Sequence, residues 1–169
     1  MSACHMLILQ ISFLSMCMDI QTEKIANRGA GIFWFAGLGY QIWLRKLSGI
    51  WEFAAGAAVP IILLAGLFAL RMLGPGDIKL FSALGGVMGV APIIRCIICS
   101  FLIGAVLSAA VILLCKNAEE RLRYFTAYLS QCFKEKTIYP YYRTGRRIEN
   151  IHFSVPVFLA VVLYTGGFY

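Results

Sequence analysis

The sequence predicts an all-α integral membrane protein of about six transmembrane helices, with a cytoplasmic amphipathic helix before the last span. Composition is the first reason. Of 169 residues, 60% are hydrophobic and only 14% charged, with a mean hydropathy of +0.80, whereas a soluble domain carries about 25% charged residues. The second reason is segmentation into apolar runs at 3–19, 29–44, 52–70, 77–94, 96–115 and 151–168. The third is that the charges gather between these runs, leaving stretches near spanning length without any.

These segments form one polytopic domain over 1–169, with no tandem repeat or low-complexity region. The first run, 3–19, has no Lys or Arg before it and no small-residue cleavage pattern after it, so it reads as a span and not as a cleaved signal. Several runs sit at the lower limit for a hydrocarbon core about 30 Å thick, which calls for local thinning or helix extension past the interface. In the fourth run, Gly85 and Gly89 make a GxxxG pattern that suits close helix packing, and Gly104 with Ser108 gives the fifth a similar small face.

Charge sets the orientation. Lys24 and Arg28, Arg71 and Lys79, and eight basic residues in 116–150 put twelve Lys and Arg on one side, against Arg45, Lys46 and Arg95 on the other. The positive-inside bias therefore places the twelve-charge face in the cytoplasm and both termini outside. Trp43 and Trp51 flank the outer loop as interfacial anchors. In the cytoplasmic segment 116–150, Leu122, Phe125, Leu129, Cys132 and Phe133 recur near helical spacing opposite Arg121, Arg123, Lys134 and Glu135, as in a helix lying on the membrane surface.

The net charge of +7 fits loops held against anionic lipid at the inner leaflet. It excludes a nucleic-acid partner, because the basic residues are split between apolar spans and not gathered on one water-exposed face. The six cysteines lie at 4, 17, 96, 99, 115 and 132 with no disulfide framework. Cys96 and Cys99 have metal-type spacing, but two further ligands are missing, so no metal and no other cofactor is expected.

Of eight acidic residues, six lie in loops or at outer ends, where charge costs little. Asp19 and Asp77 differ: each closes or opens an apolar run, and both fall at the cytoplasmic ends of their helices. Two aspartates at one site share a proton, so one acts as base toward a water while the other donates to a carbonyl oxygen, which is aspartic peptidase chemistry. The plainer alternatives are an interfacial charge at Asp19 and a helix N-cap at Asp77. Around Asp77, Gly74 and Gly76 permit unusual backbone angles and leave room, and Pro75 stiffens the turn. Such a break at membrane depth belongs beside a hydrated cleft.

Gly74-Pro75-Gly76-Asp77 with Ile78-Lys79-Leu80 resembles the GxGD-x-K-L motif of type IV prepilin leader peptidases. Asp19 with Lys24, Ile25 and Asn27 resembles the family's first aspartate segment, departing from it at Ala26, where the family has proline; Phe153 to Pro156 looks like its approach to the last helix. The resemblance implies removal of a short basic leader from pilin-like (prepilin or Flp-type) precursors at the cytoplasmic membrane face. It makes Asp19 and Asp77 the catalytic pair, has Gly74 and Gly76 shape the cleft beside Pro75, and leaves Lys24, Asn27 and Lys79 to order the loops or tune the dyad. Longer relatives carry a CxxC insertion and also N-methylate the new terminus. The stretch 20–28 has no room for it, so cleavage without methyl transfer is expected.

The rival from another class is a small transporter or channel component using Asp19 and Asp77 as an ion or proton relay. A presenilin-like GxGD peptidase is disfavoured by Met18, where that family has tyrosine. A catalytically dead assembly subunit and the oligomeric state are left open by the sequence.

Overall fold

The computed structural model describes residues 3–22, 27–70, 72–114 and 152–169, with three isolated positions at 123, 126 and 130. Within them the chain forms α1 (Ala3–Thr22), α2 (Asn27–Arg45), α3 (Leu47–Ala69), α4 (Pro75–Met88), α5 (Val90–Leu114) and α6 (Ser154–Thr165). No strand occurs among the described residues. Apart from the helical positions 123, 126 and 130, the expected surface helix in 116–150 lies outside them, as does the Lys24 loop.

Helix α4 is the centre. Leu80 through Val87 are all buried, and α1, α2, α3 and α5 each pack on it, as expected for a helix apolar on every face. Its approach to α3 is backbone on backbone: a Cβ on Gly85 would collide with the Gly56 carbonyl, and one on Gly56 with the Gly85 carbonyl. Polar side chains tie the same layer. Gln41 Nε2 on α2 donates to the Gly86 and Val87 carbonyls at 3.0 and 3.2 Å, and Ser82 Oγ donates to the Ala57 carbonyl at 3.0 Å. Ser82 also accepts from Trp34 Nε1 at 3.3 Å, so these buried groups are satisfied across three helices.

The contacts fix the sense of each helix. His5 meets Tyr164, Phe13 meets Phe158, and Asp19 meets Ser154, so α1 and α6 run antiparallel along their length. Cys4 lies by the Val87 carbonyl at the far end of α4, so α4 also runs against α1. The far end of the bundle therefore carries Arg45 and Lys46 of the α2–α3 turn, where Arg45 pairs with Glu52, and Arg95 near the start of α5. Exposed large apolar side chains such as Ile62, Leu102, Val106 and Leu113 cover the outside, a surface suited to lipid and not to water.

Among the described residues, three helices are long and apolar enough to cross a membrane: Ala3–Gln21, Leu47–Ala69 and Val90–Val111. With the composition, this makes the chain a helical membrane protein. The expected boundaries need correction. Helix α4 stops at Met88 and not at 94, because Gly89 takes a positive φ of 88°, which glycine alone adopts without strain. Residues 90–95, Arg95 included, belong to α5. At 14 and 12 residues, α4 and α6 rise only about 21 and 18 Å, less than a hydrocarbon core. The GxxxG pattern also divides: Gly85 packs on Gly56, whereas nothing lies within 4 Å of a Cβ on Gly89, which ends the helix. On α3 the helix starts at Leu47, so Trp51 stands on it, 80% exposed.

The Gly56–Gly85 contact predicts that Gly85→Val lowers the thermal midpoint of the detergent-solubilised protein, the overpacking costing about 1–3 kcal/mol. Gly31→Ala, at a helical position with nothing within 4 Å, leaves the midpoint unchanged or raises it.

Candidate active site

Asp77 is the third residue of α4, with Gly74 as N-cap and Pro75 in the first turn. Proline suits that place because its missing N–H has no helical partner there anyway. The Asp77 carboxyl reaches back to accept the Gly74 backbone N–H, the reciprocal half of a capping box. Asp77 is thus not the N-cap itself, the plainer reading of the sequence, although it caps the turn from within. A Cβ at Gly74 would stand 3.2 Å from Asp77 Oδ2, so glycine leaves that oxygen unobstructed on this side. Gly76 and Asp77 are half-buried, and Pro75 and Lys79 are exposed.

Asp19 lies in the last turn of α1, which continues to Thr22, so the carboxylate is carried on the helix and not after it. Its side chain is only 14% exposed. Ser154 Oγ, on the first residue of α6, donates to Asp19 Oδ2 at 2.7 Å. His152 Nδ1 stands 3.4 Å from the same oxygen. Asp19 is also within electrostatic reach of Asp77, so α1, α4 and α6 bring the two acids to one end of the bundle.

The remaining motif residues divide. Lys24 falls outside the described residues; Asn27 begins α2, its side chain undescribed. Gly29, two residues on, lets α2 close on α1, since a Cβ there would meet the end of Met18. Among the described residues no group of three or more His, Cys, Asp or Glu is placed to hold a metal ion; Cys96 is buried in the core.

Two partners escaped the sequence reading: Ser154 and His152. Phe153 to Pro156 stood out there only as the approach to a helix, and the single available signal was a serine at a helix start. Phe153, between these two partners, stacks edge-on with Phe81 at 6.1 Å and tilts against Phe101 at 5.1 Å. With Pro156, Gly104, Ala105 and Ser108 the last two rings' residues, Phe101 and Phe153, line an open groove of about 350 Å³. An apolar trough therefore runs to within one residue of the serine that touches Asp19.

The arrangement offers two carboxylic groups at a helix-lined end, one held by side-chain donors and one by a backbone N–H. This is a donor-acceptor pair suited to moving protons at a carbonyl. Neither the curated proteins nor the solved structures contain a significant match to the chain. A sequence model described as the type IV leader peptidase family matches residues 6–109, more than half of the chain and inclusive of both carboxylates, and the chain belongs to that family.

Proposed function

We propose that the chain is a membrane aspartyl endopeptidase that removes the short basic leader from type IV pilin-like precursors at the cytoplasmic face, without N-methylation, using Asp19 and Asp77. Membership of the family makes it a peptidase of the leader peptidase kind. The observation that carries the finer reading is the approach of Asp19 on α1 to Asp77 at the foot of α4, from motifs 58 residues apart in the sequence. One carboxylate takes a proton from water as its oxygen attacks the scissile carbonyl, and the other gives its proton to the carbonyl oxygen. The resulting gem-diol collapses as the first acid protonates the leaving nitrogen and the second recovers a proton from a hydroxyl, so the C–N bond breaks and the dyad is restored.

The carboxylate end is opposite the Arg45, Lys46 and Arg95 end. With the basic loops gathered on the carboxylate side in sequence, the positive-inside bias puts the dyad at the cytoplasmic face, where a basic leader would lie, and both termini outside. Six membrane crossings complete this topology, with α4 and α6 shielded by their neighbours over their short length. The apolar groove beside Phe153 suits the hydrophobic helix that follows the leader in the precursor. The α1–α2 connection from Thr22 to Asn27 holds no methyltransferase insertion, which supports cleavage alone.

The test is co-expression with a pilin-like precursor from the same genome, with cleavage read by mass. Native chain cleaves, whereas Asp19→Ala and Asp77→Ala each lower the rate by at least about 10²-fold; cleavage persisting in either variant removes that residue from the dyad. A second expectation concerns pH. The rate against pH is bell-shaped, because a doubly protonated pair lacks the base and a doubly ionised pair lacks the acid. A rate that rises monotonically to high pH contradicts a shared proton.

A further inference from the structure

Ser154 is the first residue of α6, one past its N-cap Phe153, and no side chain caps that end of the helix. The hydroxyl is fully buried and donates instead across the bundle to Asp19 Oδ2 at 2.7 Å, over 135 residues of sequence. Because Ser154 is the first residue of α6, the Asp19 carboxylate also stands at that helix's N-terminus, the positive end of its dipole. His152 Nδ1, at 3.4 Å from the same oxygen, adds a positive charge whenever the ring is protonated. Asp77 stands in the first turn of its own helix α4 and takes a backbone N–H from Gly74 as a donor.

We propose that Ser154 is a positioning residue that holds Asp19 as the ionised member of the pair and leaves the shared proton on Asp77. The assignment rests on the peptidase reading above and deepens it. Asp19 then takes the proton from water, Asp77 protonates the carbonyl oxygen, and on collapse Asp19 returns its proton to the leaving nitrogen while Asp77 is reprotonated from the gem-diol. Among the described residues, the charged groups that face Asp19 include Asp77 from α4 and His152 ahead of α6; α2, the third helix packed on α1, presents Gly29 to Met18 beside it, and the side chains of Asn27 and Arg28 lie outside the described residues.

The experiment measures kcat and KM against pH for the full chain in membranes, with the pilin-like precursor from the same genome as probe, for native, Ser154→Ala and Ser154→Thr. Ser154→Ala is expected to lower kcat about tenfold with KM little changed. It should also move the acid limb of the profile to higher pH, since losing the donor makes the ionised base harder to form. Ser154→Thr, which keeps the hydroxyl, restores both. An unshifted acid limb in Ser154→Ala, or a threonine variant as impaired as the alanine one, overturns the assignment while native cleavage and its loss in Asp19→Ala leave the peptidase reading intact. Failure of the native chain to cleave overturns both.

Discussion

The meeting of two glycines, Gly56 and Gly85, carries most of the architecture. Because neither has a Cβ, the backbones of α3 and α4 come into direct contact, and α4 can sink to the centre with four helices around it. A short helix that is apolar on all sides is poorly matched to lipid thickness but well matched to a protein interior. Its central place matters at its foot. The Gly74-Pro75 start aims the first turn of α4 at the same end of the bundle where α1 finishes and α6 begins, and that convergence brings Asp77 within electrostatic reach of Asp19.

Electrostatics explains why this end is built as it is. A carboxylate among apolar helices is costly unless donors meet it, and the two acids are met differently. Asp77 is served locally, by the N–H of its own N-cap residue. Asp19 is served from far along the chain, by the hydroxyl of Ser154 and the ring of His152. Unequal surroundings are what separate an acid from a base in a carboxylate pair. The aromatic contacts of Phe153 with Phe81 and Phe101 hold the start of α6 against α4 and α5, so the donor arrives on a packed element and not on a free loop.

Much of this was legible because it is local. Apolar runs and clustered charge exposed the helices, rare acids at run ends picked out Asp19 and Asp77, and Gly74-Pro75-Gly76 marked the start of α4. What escaped depends on conformation or on distance in sequence. Gly89 looked like a packing residue because GxxxG spacing is periodic, yet its positive φ belongs to a break that periodicity cannot show. The run 77–94 hid that break, since Val90 and Ala91 after it are as apolar as the residues before it. His152 gave no sign and Ser154 only that of a serine at a helix start, because a contact such as Ser154 with Asp19 across 135 residues has no local pattern.

The central claim is that α1 and α4 bring Asp19 and Asp77 together, and proximity in native membranes tests it directly. In a background with the native cysteines replaced, Asp19→Cys with Asp77→Cys should be joined within one chain by a short bifunctional thiol reagent, as should the control pair Asp19→Cys with Ser154→Cys. Cross-linking of the control pair alone would place Asp77 away from Asp19 and contradict the account.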